Sequence, residues 1–161
     1  MSPKTILIVD DSQFDRTLLK NALARKAHFN CLEARDGEQC LEVLASNQVD
    51  LVLMDIMMPG THGSQMLLKI REKFNPIQLP IIMVTAKADA SDIVGCLHSG
   101  ANDYITKPVN FEVAVSRITT HLNLSELSKA MSKLEEIAAL DALVTTYNHE
   151  INNPLAVAVA C

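Results

Sequence analysis

The chain has 161 residues, of which 48% are hydrophobic and 20% charged, and its net charge is -5. This composition supplies a core and excludes global disorder, and the length suits one domain of ordinary size with an appendage. The acidic balance argues against a general nucleic-acid binder, and with Arg117 the last arginine and only Lys129 and Lys133 beyond it, no DNA-binding domain is expected in the C-terminal part.

Met1-Ser2-Pro3-Lys4 runs straight into a strand-like segment of about five residues, too short for a signal peptide or a membrane span. Cys31, Cys40, Cys96 and Cys161 are scattered without metal spacing, the pattern of reduced core thiols in a cytoplasmic protein.

Thr5 to Val9 is an apolar run ending in Asp10-Asp11-Ser12, read as a buried strand with Ser12 as the N-cap of the next helix. From Gln13 to Ala27, Phe14, Leu18, Leu19, Ala22 and Leu23 recur at helical spacing and are the expected inner face. Phe29 to Ala34 is a second strand. Asp36-Gly37 marks a turn, and Cys40, Leu41, Val43 and Leu44 give the following helix its inner face. Leu51 to Met54 is a third buried strand that stops at a carboxylate, Asp55, before a loop rich in Pro and Gly. Ser64 to Phe74 reads as a helix with Met66, Leu67, Ile70 and Phe74 inward, and Pro76 and Pro80 bracket a loop.

Pro80 to Val84 is a fourth strand ending at Thr85-Ala86, and Asp89 to Ser99 is a helix stopped by Gly100. Asp103 to Lys107 is a short fifth strand leading into Pro108. Asn110 then caps a helix carrying Val113, Val115, Ile118 and Leu122 inward. Five strands alternating with five helices predict an α/β fold, a five-stranded doubly wound parallel sheet. Beyond Leu122 no glycine recurs, and Leu127, Met131, Leu134, Ile137, Leu140, Val144, Tyr147 and Ile151 stand three or four residues apart.

That spacing predicts a long amphipathic C-terminal α-helix whose stripe needs a partner, most simply a second copy in a homodimer. Three successive steps of three between Met131 and Leu140 keep the stripe from being a clean heptad. A helix folded back on its own domain is the alternative. Asn123-x-x-Glu126 resembles a capping box, which leaves open a break near residues 122–126.

Strand ends deliver Asp10 and Asp11, Asp55, Thr85 and Lys107 to one edge of the sheet, where open α/β sheets place their ligand sites. Clustered carboxylates repel one another unless a cation joins them, and an all-oxygen set suits a hard divalent ion, Mg²⁺ first, with Mn²⁺ as an alternative. With the Lys107 ammonium and the Thr85 hydroxyl, this describes a phosphoryl site with Asp55 as the nucleophile.

Asp10-Asp11, Asp55-x-x-Met58-Pro59-x-x-x-Gly63, Thr85-Ala86 and Tyr104-x-x-Lys107-Pro108 closely resemble the receiver domain of two-component response regulators, over about residues 4–122. The resemblance implies a flavodoxin-like fold and phosphorylation of Asp55 by a phosphohistidine donor, either a kinase or a phosphotransfer protein. It implies Mg²⁺ held by Asp11, Asp55 and the Met57 carbonyl, with Asp10 acting mostly through water. By the same resemblance Thr85 and Tyr104 are switch residues, and the Lys107–Pro108 bond is cis.

Tyr147-Asn-His149-Glu150-Ile-Asn152-Asn153-Pro154 looks like the H-box of histidine-kinase dimerisation and phosphotransfer domains. By that resemblance His149 is the phospho-accepting residue, Glu150 its acid/base, and Asn153 positions water. Residues 123–146 would be a signalling or coiled-coil helix, and 147–161 the start of a truncated dimerisation domain. A continuous helix from Asn110 to His149 would run on the order of 60 Å, too far for His149 to reach Asp55 of its own chain.

The sequence thus reads as the receiver of a hybrid histidine kinase without its ATP-binding domain. A rival is a stand-alone receiver serving as a phosphorylation-gated dimerisation or docking module with His149 inert. Another is a Mg²⁺-dependent phosphohydrolase, for which no cap or substrate pocket is evident.

Overall fold

The structure, a computed structural model, describes residues 2–86 and 89–159, with side chains described as far as Asn152. Five strands alternate with five helices: β1 Thr5–Val9, α1 Gln13–Ala27, β2 Asn30–Ala34, α2 Gly37–Ser46, β3 Leu51–Asp55, α3 Gly63–Arg71, β4 Ile81–Thr85, α4 Ala90–His98, β5 Asp103–Thr106 and α5 Phe111–Val159. All neighbouring strands are parallel, in the order β2-β1-β3-β4-β5. β3 and β4 are buried along their whole lengths, which is why they read as unbroken apolar runs, whereas the edge strands β2 and β5 are half-buried.

Alternation along the strands feeds two cores. One face joins Leu7, Val52, Met54 and Met83 to Cys40, Met66, Leu67 and Ile70 of α2 and α3 and to Cys96 of α4. The other joins Ile6, Ile8, Leu53 and Val84 to Leu19 and Leu23 of α1 and to Ala114, Ile118 and Leu122 of α5. The sheet is therefore doubly wound, as expected. Ser12 caps α1 by accepting from the Asp15 amide (3.2 Å), Asp36 caps α2, and Asn110 accepts from the amides of Glu112 and Val113 (3.0 and 3.2 Å). After α4, Gly100 takes a φ of 102°, and the Gly100 and Ala101 amides close the last carbonyls.

Three expected core positions are corrected. Phe14 is 74% exposed, and Leu18 and Val113 also face solvent, because the inner faces of α1 and α5 narrow to Leu19 and Leu23 and to Ala114, Ile118 and Leu122. Phe74 packs against the core from beyond the end of α3, which closes at Arg71. No break occurs near residues 122–126. The helix continues through them because Leu122 and Ser125 are buried and Ser125 Oγ donates to the Ile77 carbonyl (2.6 Å).

Opposite the carboxyl ends of the strands, Arg71 donates to the carbonyls of Gly100 and Leu79 and to Asn102 Oδ1, and Asn102 Oδ1 also accepts from the Ile81 amide. Burial pushes the Arg71 guanidinium down to about 10. The chain divides into two compact units, Met1–Ser125 and Glu126–Cys161. In the second, Leu127, Met131, Leu134, Ile137, Leu140, Val144, Tyr147 and Ile151 are all exposed. The described cysteines are Cys31, Cys40 and Cys96, with the Cys40 thiol pushed up to about 12 by burial. Cys161 lies outside the described residues. No helix among the described residues is long and apolar enough to cross a membrane.

Candidate functional site

In this strand order the chain leaves β1 in one direction and β3 in the other, so a crevice opens between their carboxyl ends. Asp10 follows β1 and Asp55 ends β3, and each is turned toward the crevice by a local bond. Asp10 Oδ1 accepts from the Ser12 amide at 2.8 Å, and Asp55 Oδ1 accepts from the Met57 amide at 2.9 Å. Their second oxygens receive Lys107, whose Nζ lies 2.7 Å from Asp10 Oδ2 and 2.8 Å from Asp55 Oδ2. A third carboxylate, Asp15 Oδ2 on the first turn of α1, lies 2.9 Å from the same nitrogen.

Lys107 is aimed by backbone. Its amide donates to the Thr85 carbonyl (2.7 Å) and its bond to Pro108 is cis. Burial works against its charge, yet the bonds to Asp10, Asp55 and Asp15 outweigh it and hold the ammonium well above the ordinary lysine range. Burial pushes the Asp55 carboxyl up, against hydrogen bonds from Lys107 and the Met57 amide, and the Asp10 charge adds to the rise.

Asp10, Asp11 and Asp55 bring carboxylate oxygens within 4.8 Å of one another. Oxygen donors at that spacing, with one carboxyl already pushed up, form a set that fits a hard divalent cation such as Mg²⁺ or Mn²⁺. Arg16 braces the loop that carries the first two, its Nη1 donating to the carbonyls of Asp10 (2.7 Å) and Asp11 (3.3 Å) while Nε donates to Glu33 (3.4 Å). Gly63 is required by close approach, since a Cβ there would stand 2.3 Å from the Asp55 carbonyl oxygen.

Thr85 is buried at the end of β4, one residue beyond Val84, which lies opposite Asp55. Tyr104 on β5 is half-buried against the core face that holds Met83, and the Arg117 guanidinium lies over its ring at 5.8 Å. Arg117 and His121, both on α5, each bond Asp103, His121 Nε2 at 3.2 Å. Burial works to raise the Asp103 carboxyl, but Arg117, the Tyr104 amide and His121 hold it below the usual carboxylate range. Beside Lys107 an open apolar groove of about 360 Å³ is lined by Phe14, Leu18, Pro108, Val109 and Phe111.

The structure thus brings Asp10, Asp11, Asp55 and Lys107 to one crevice, with the Met57 amide bonded to Asp55 and Thr85 at the neighbouring end of β4. His149 and Glu150 lie on α5 in the second unit, both exposed, and the side chain of Asn153 is outside the described residues. Sequence reasoning missed Asp15 and Arg16. The spacing Ser12-x-x-Asp15 was the available signal, because a capping residue at Ser12 fixes Asp15 on the first turn, facing the loop.

A family model described as "Response regulator receiver domain" matches residues 6–119. The chain is 39% identical over 118 residues to the phosphate regulon transcriptional regulatory protein PhoB of Pseudomonas aeruginosa, an alignment covering 73% of this chain and 51% of that protein. It is 41% identical over 130 residues to the transcriptional regulatory protein CpxR of Klebsiella pneumoniae, covering 81% of this chain and 54% of that one. The chain therefore spans about half the length of these curated relatives. Among solved structures, a CheY-like receiver domain protein from Methanospirillum hungatei superposes with a TM-score of 0.72 at 31% identity, covering 79% of this chain and 99% of that one.

Proposed function

Because the chain belongs to the response regulator receiver family, we propose that Asp55 is the acceptor of a phosphoryl group carried by a phosphohistidine on a donor kinase or phosphotransfer protein. The observation that carries this is Lys107 Nζ, held 2.7 to 2.9 Å from Asp10, Asp15 and Asp55, the first and last of which also cluster with Asp11. A strand-end carboxylate with a fixed ammonium beside it is an oxygen nucleophile next to an anion site.

An Asp55 oxygen forms the new bond to phosphorus as the bond from phosphorus to the donor imidazole nitrogen breaks. The electron pair stays on that nitrogen, which later takes a proton. Asp10, Asp11, Asp55 and the Met57 carbonyl would hold Mg²⁺ or Mn²⁺, which when bound supplies positive charge against the carboxylates and the incoming oxygens. Lys107 follows the transferred group and Thr85 donates its hydroxyl to it. Tyr104 moves with Thr85, and its contact with Arg117 carries the change toward α5. The apolar groove beside Lys107 suits a helix of the donor, since Phe14 and Leu18 stand exposed at its edge.

A finer reading follows from the second unit. The exposed stripe from Leu127 to Ile151 supports pairing with a second copy, and the motif around His149 supports the reading of the chain as part of a hybrid sensor histidine kinase in which His149 is the phospho-accepting residue. The competing form is a stand-alone receiver whose phosphorylation gates dimerisation or docking, with His149 inert. Adding a kinase ATP-binding domain in trans separates them: label on His149 supports the kinase piece, and its absence with an active kinase domain supports the inert form.

Acetyl phosphate with Mg²⁺, followed by intact mass under conditions that preserve acyl phosphates, tests the central claim. One added phosphoryl group, lost in Asp55→Asn, is the expected result. An unmodified chain, or equal modification of Asp55→Asn, overturns it.

A further inference from the structure

Lys107 has one carboxylate more than the metal cluster and the acceptor account for. Asp15 reaches it from α1, held by its own amide on Ser12 Oγ (3.2 Å) and with its Oδ2 2.9 Å from Lys107 Nζ. The side chains of Asp10 and Asp55 are 3% and 9% exposed, but that of Asp15 is 34% exposed. It is therefore the one ion-pair partner of Lys107 that an arriving molecule meets first, at the mouth of the groove edged by Phe14 and Leu18. Its placement is built by the helix cap and the ion pair together.

The charge count shows what it does there. Asp10, Asp11, Asp15 and Asp55 bring four negative charges and Lys107 one positive, while Arg16 and Lys20 share Glu33 beside them. With a divalent cation in the acidic cluster and the net positive charge of Arg16, Lys20 and Glu33 counted, the site is neutral. Without Asp15 it would carry one positive charge.

We infer that Asp15 is a specificity-determining residue for phosphoryl transfer, disfavouring small, highly charged phosphodonors relative to donors of lower charge. The inference rests on the reading of Asp55 as the acceptor. The work of bringing a donor to the site scales with the donor's charge, so the penalty on a dianion is the square of that on a monoanion. Across roughly 6–8 Å at a water-like dielectric, as suits a donor arriving from solvent, one extra charge slows a dianion on the order of fivefold and a monoanion about twofold, and salt shrinks both.

The experiment uses the full chain with saturating Mg²⁺ and two small donors: acetyl phosphate, a dianion near neutral pH, and phosphoramidate, which carries one negative charge fewer. Second-order rate constants come from intact-mass time courses, because the chain has no tryptophan to report binding. Asp15→Asn is expected to raise the acetyl phosphate constant about fivefold and the phosphoramidate constant about twofold, with both gains collapsing near 0.5 M salt. Asp15→Glu, which keeps the charge on the same turn, is expected to retain the wild-type ratio of the two donors.

Equal factors for the two donors, a gain insensitive to salt, or a slower Asp15→Asn overturns the inference. Should Asp15→Asn not fold, judged by its thermal melt, Asp15→Ser carries the same test. If the wild type accepts from neither donor, it is the acceptor reading that has failed. If it accepts from both but the variants do not separate them by charge, only the role of Asp15 has failed.

Discussion

Gly63→Ala tests whether the backbone packing around Asp55 sets the chemistry. A Cβ at Gly63 would lie 2.3 Å from the Asp55 carbonyl oxygen and 2.9 Å from Ile56 Cα, where ordinary contact begins at 3.4 Å. Both obstacles are backbone, so neither can rotate away. α3 and the end of β3 must separate by about 1 Å, straining the bond from the Gly63 amide to the Ile56 carbonyl (2.8 Å). Overpacking of this kind costs about 1–3 kcal/mol, which lowers Tm by roughly 2–10 °C in a chain of this size.

The same displacement moves Asp55 relative to Lys107, and an error of about 1 Å at a reacting group can cost on the order of 100-fold in rate. The assays are a thermal melt and the acetyl phosphate rate constant. Gly60→Ala is the control. It strains a positive φ of 85° but has nothing within 4 Å to strike, so it should cost about 1 kcal/mol and leave the rate within about twofold. A Gly63→Ala protein with wild-type Tm and rate, or a Gly60→Ala protein as slow as Gly63→Ala, would refute the reasoning.

Asp103→Asn should destabilise the first unit by about 1–2 kcal/mol near neutral pH, since it loses charge-assisted bonds from Arg117 and His121. The folded carboxyl of Asp103 titrates below its unfolded value. Its contribution is therefore present above the unfolded pKa and lost as pH falls through the folded one, and the gap in Tm between wild type and variant should close as pH falls below the ordinary carboxylate range. A gap independent of pH would rule this out. Replacing both Phe14 and Leu18 by Ala should slow transfer from a phosphohistidine protein about tenfold while leaving the acetyl phosphate rate within about twofold, and equal losses with both donors would show that the groove is not a docking surface. Leu134→Glu combined with Leu140→Glu should abolish self-association in sedimentation equilibrium. A wild type that is monomeric at high concentration would remove the case for helix pairing.

Most of the fold was legible because the central strands are buried on both faces. Leu51 to Met54 and Ile81 to Val84 have no polar side to alternate with, so their ends are marked where Asp55 and Thr85 interrupt the apolar run. The crevice was legible for the same reason, since a polar residue at the end of such a strand has only one edge to occupy. Helix faces were less so. Phe14 and Leu18 keep step with Leu19 and Leu23 in the sequence, but a helix on a sheet buries a narrow stripe, and the flanking residues are left at its edges. Asn123-x-x-Glu126 has the local chemistry of a helix start, yet burial of Leu122 and Ser125 keeps the helix running through it. The spacing Ser12-x-x-Asp15 marks Asp15 as a first-turn residue, but its ion pair with Lys107, 92 residues away, leaves no trace in that local pattern.

Under the proposed phosphorylation of Asp55, the distance along the chain between these partners would let the cluster work as a switch. Lys107 binds carboxylates 97, 92 and 52 residues away, just after β1, on α1 and at the end of β3, from just beyond β5. One ammonium thus adds a polar tie between four elements that sheet hydrogen bonds and apolar packing already hold together. A new anion on Asp55 competes for that ammonium, and whatever it gains is lost by Asp10 and Asp15. The Lys107 amide is bonded to the Thr85 carbonyl, so movement of the lysine is also felt at the end of β4. Tyr104 sits on β5 three residues before the lysine, which follows the strand, with Arg117 on its ring and Asp103 beside it bonded to the same arginine. A displacement that begins at the crevice therefore has a covalent path along β5 to a side chain that grips α5. A chain in which Arg117→Ala left the acetyl phosphate rate unchanged but abolished any response of the 111–125 segment to phosphorylation, read by hydrogen exchange, would show that path in use.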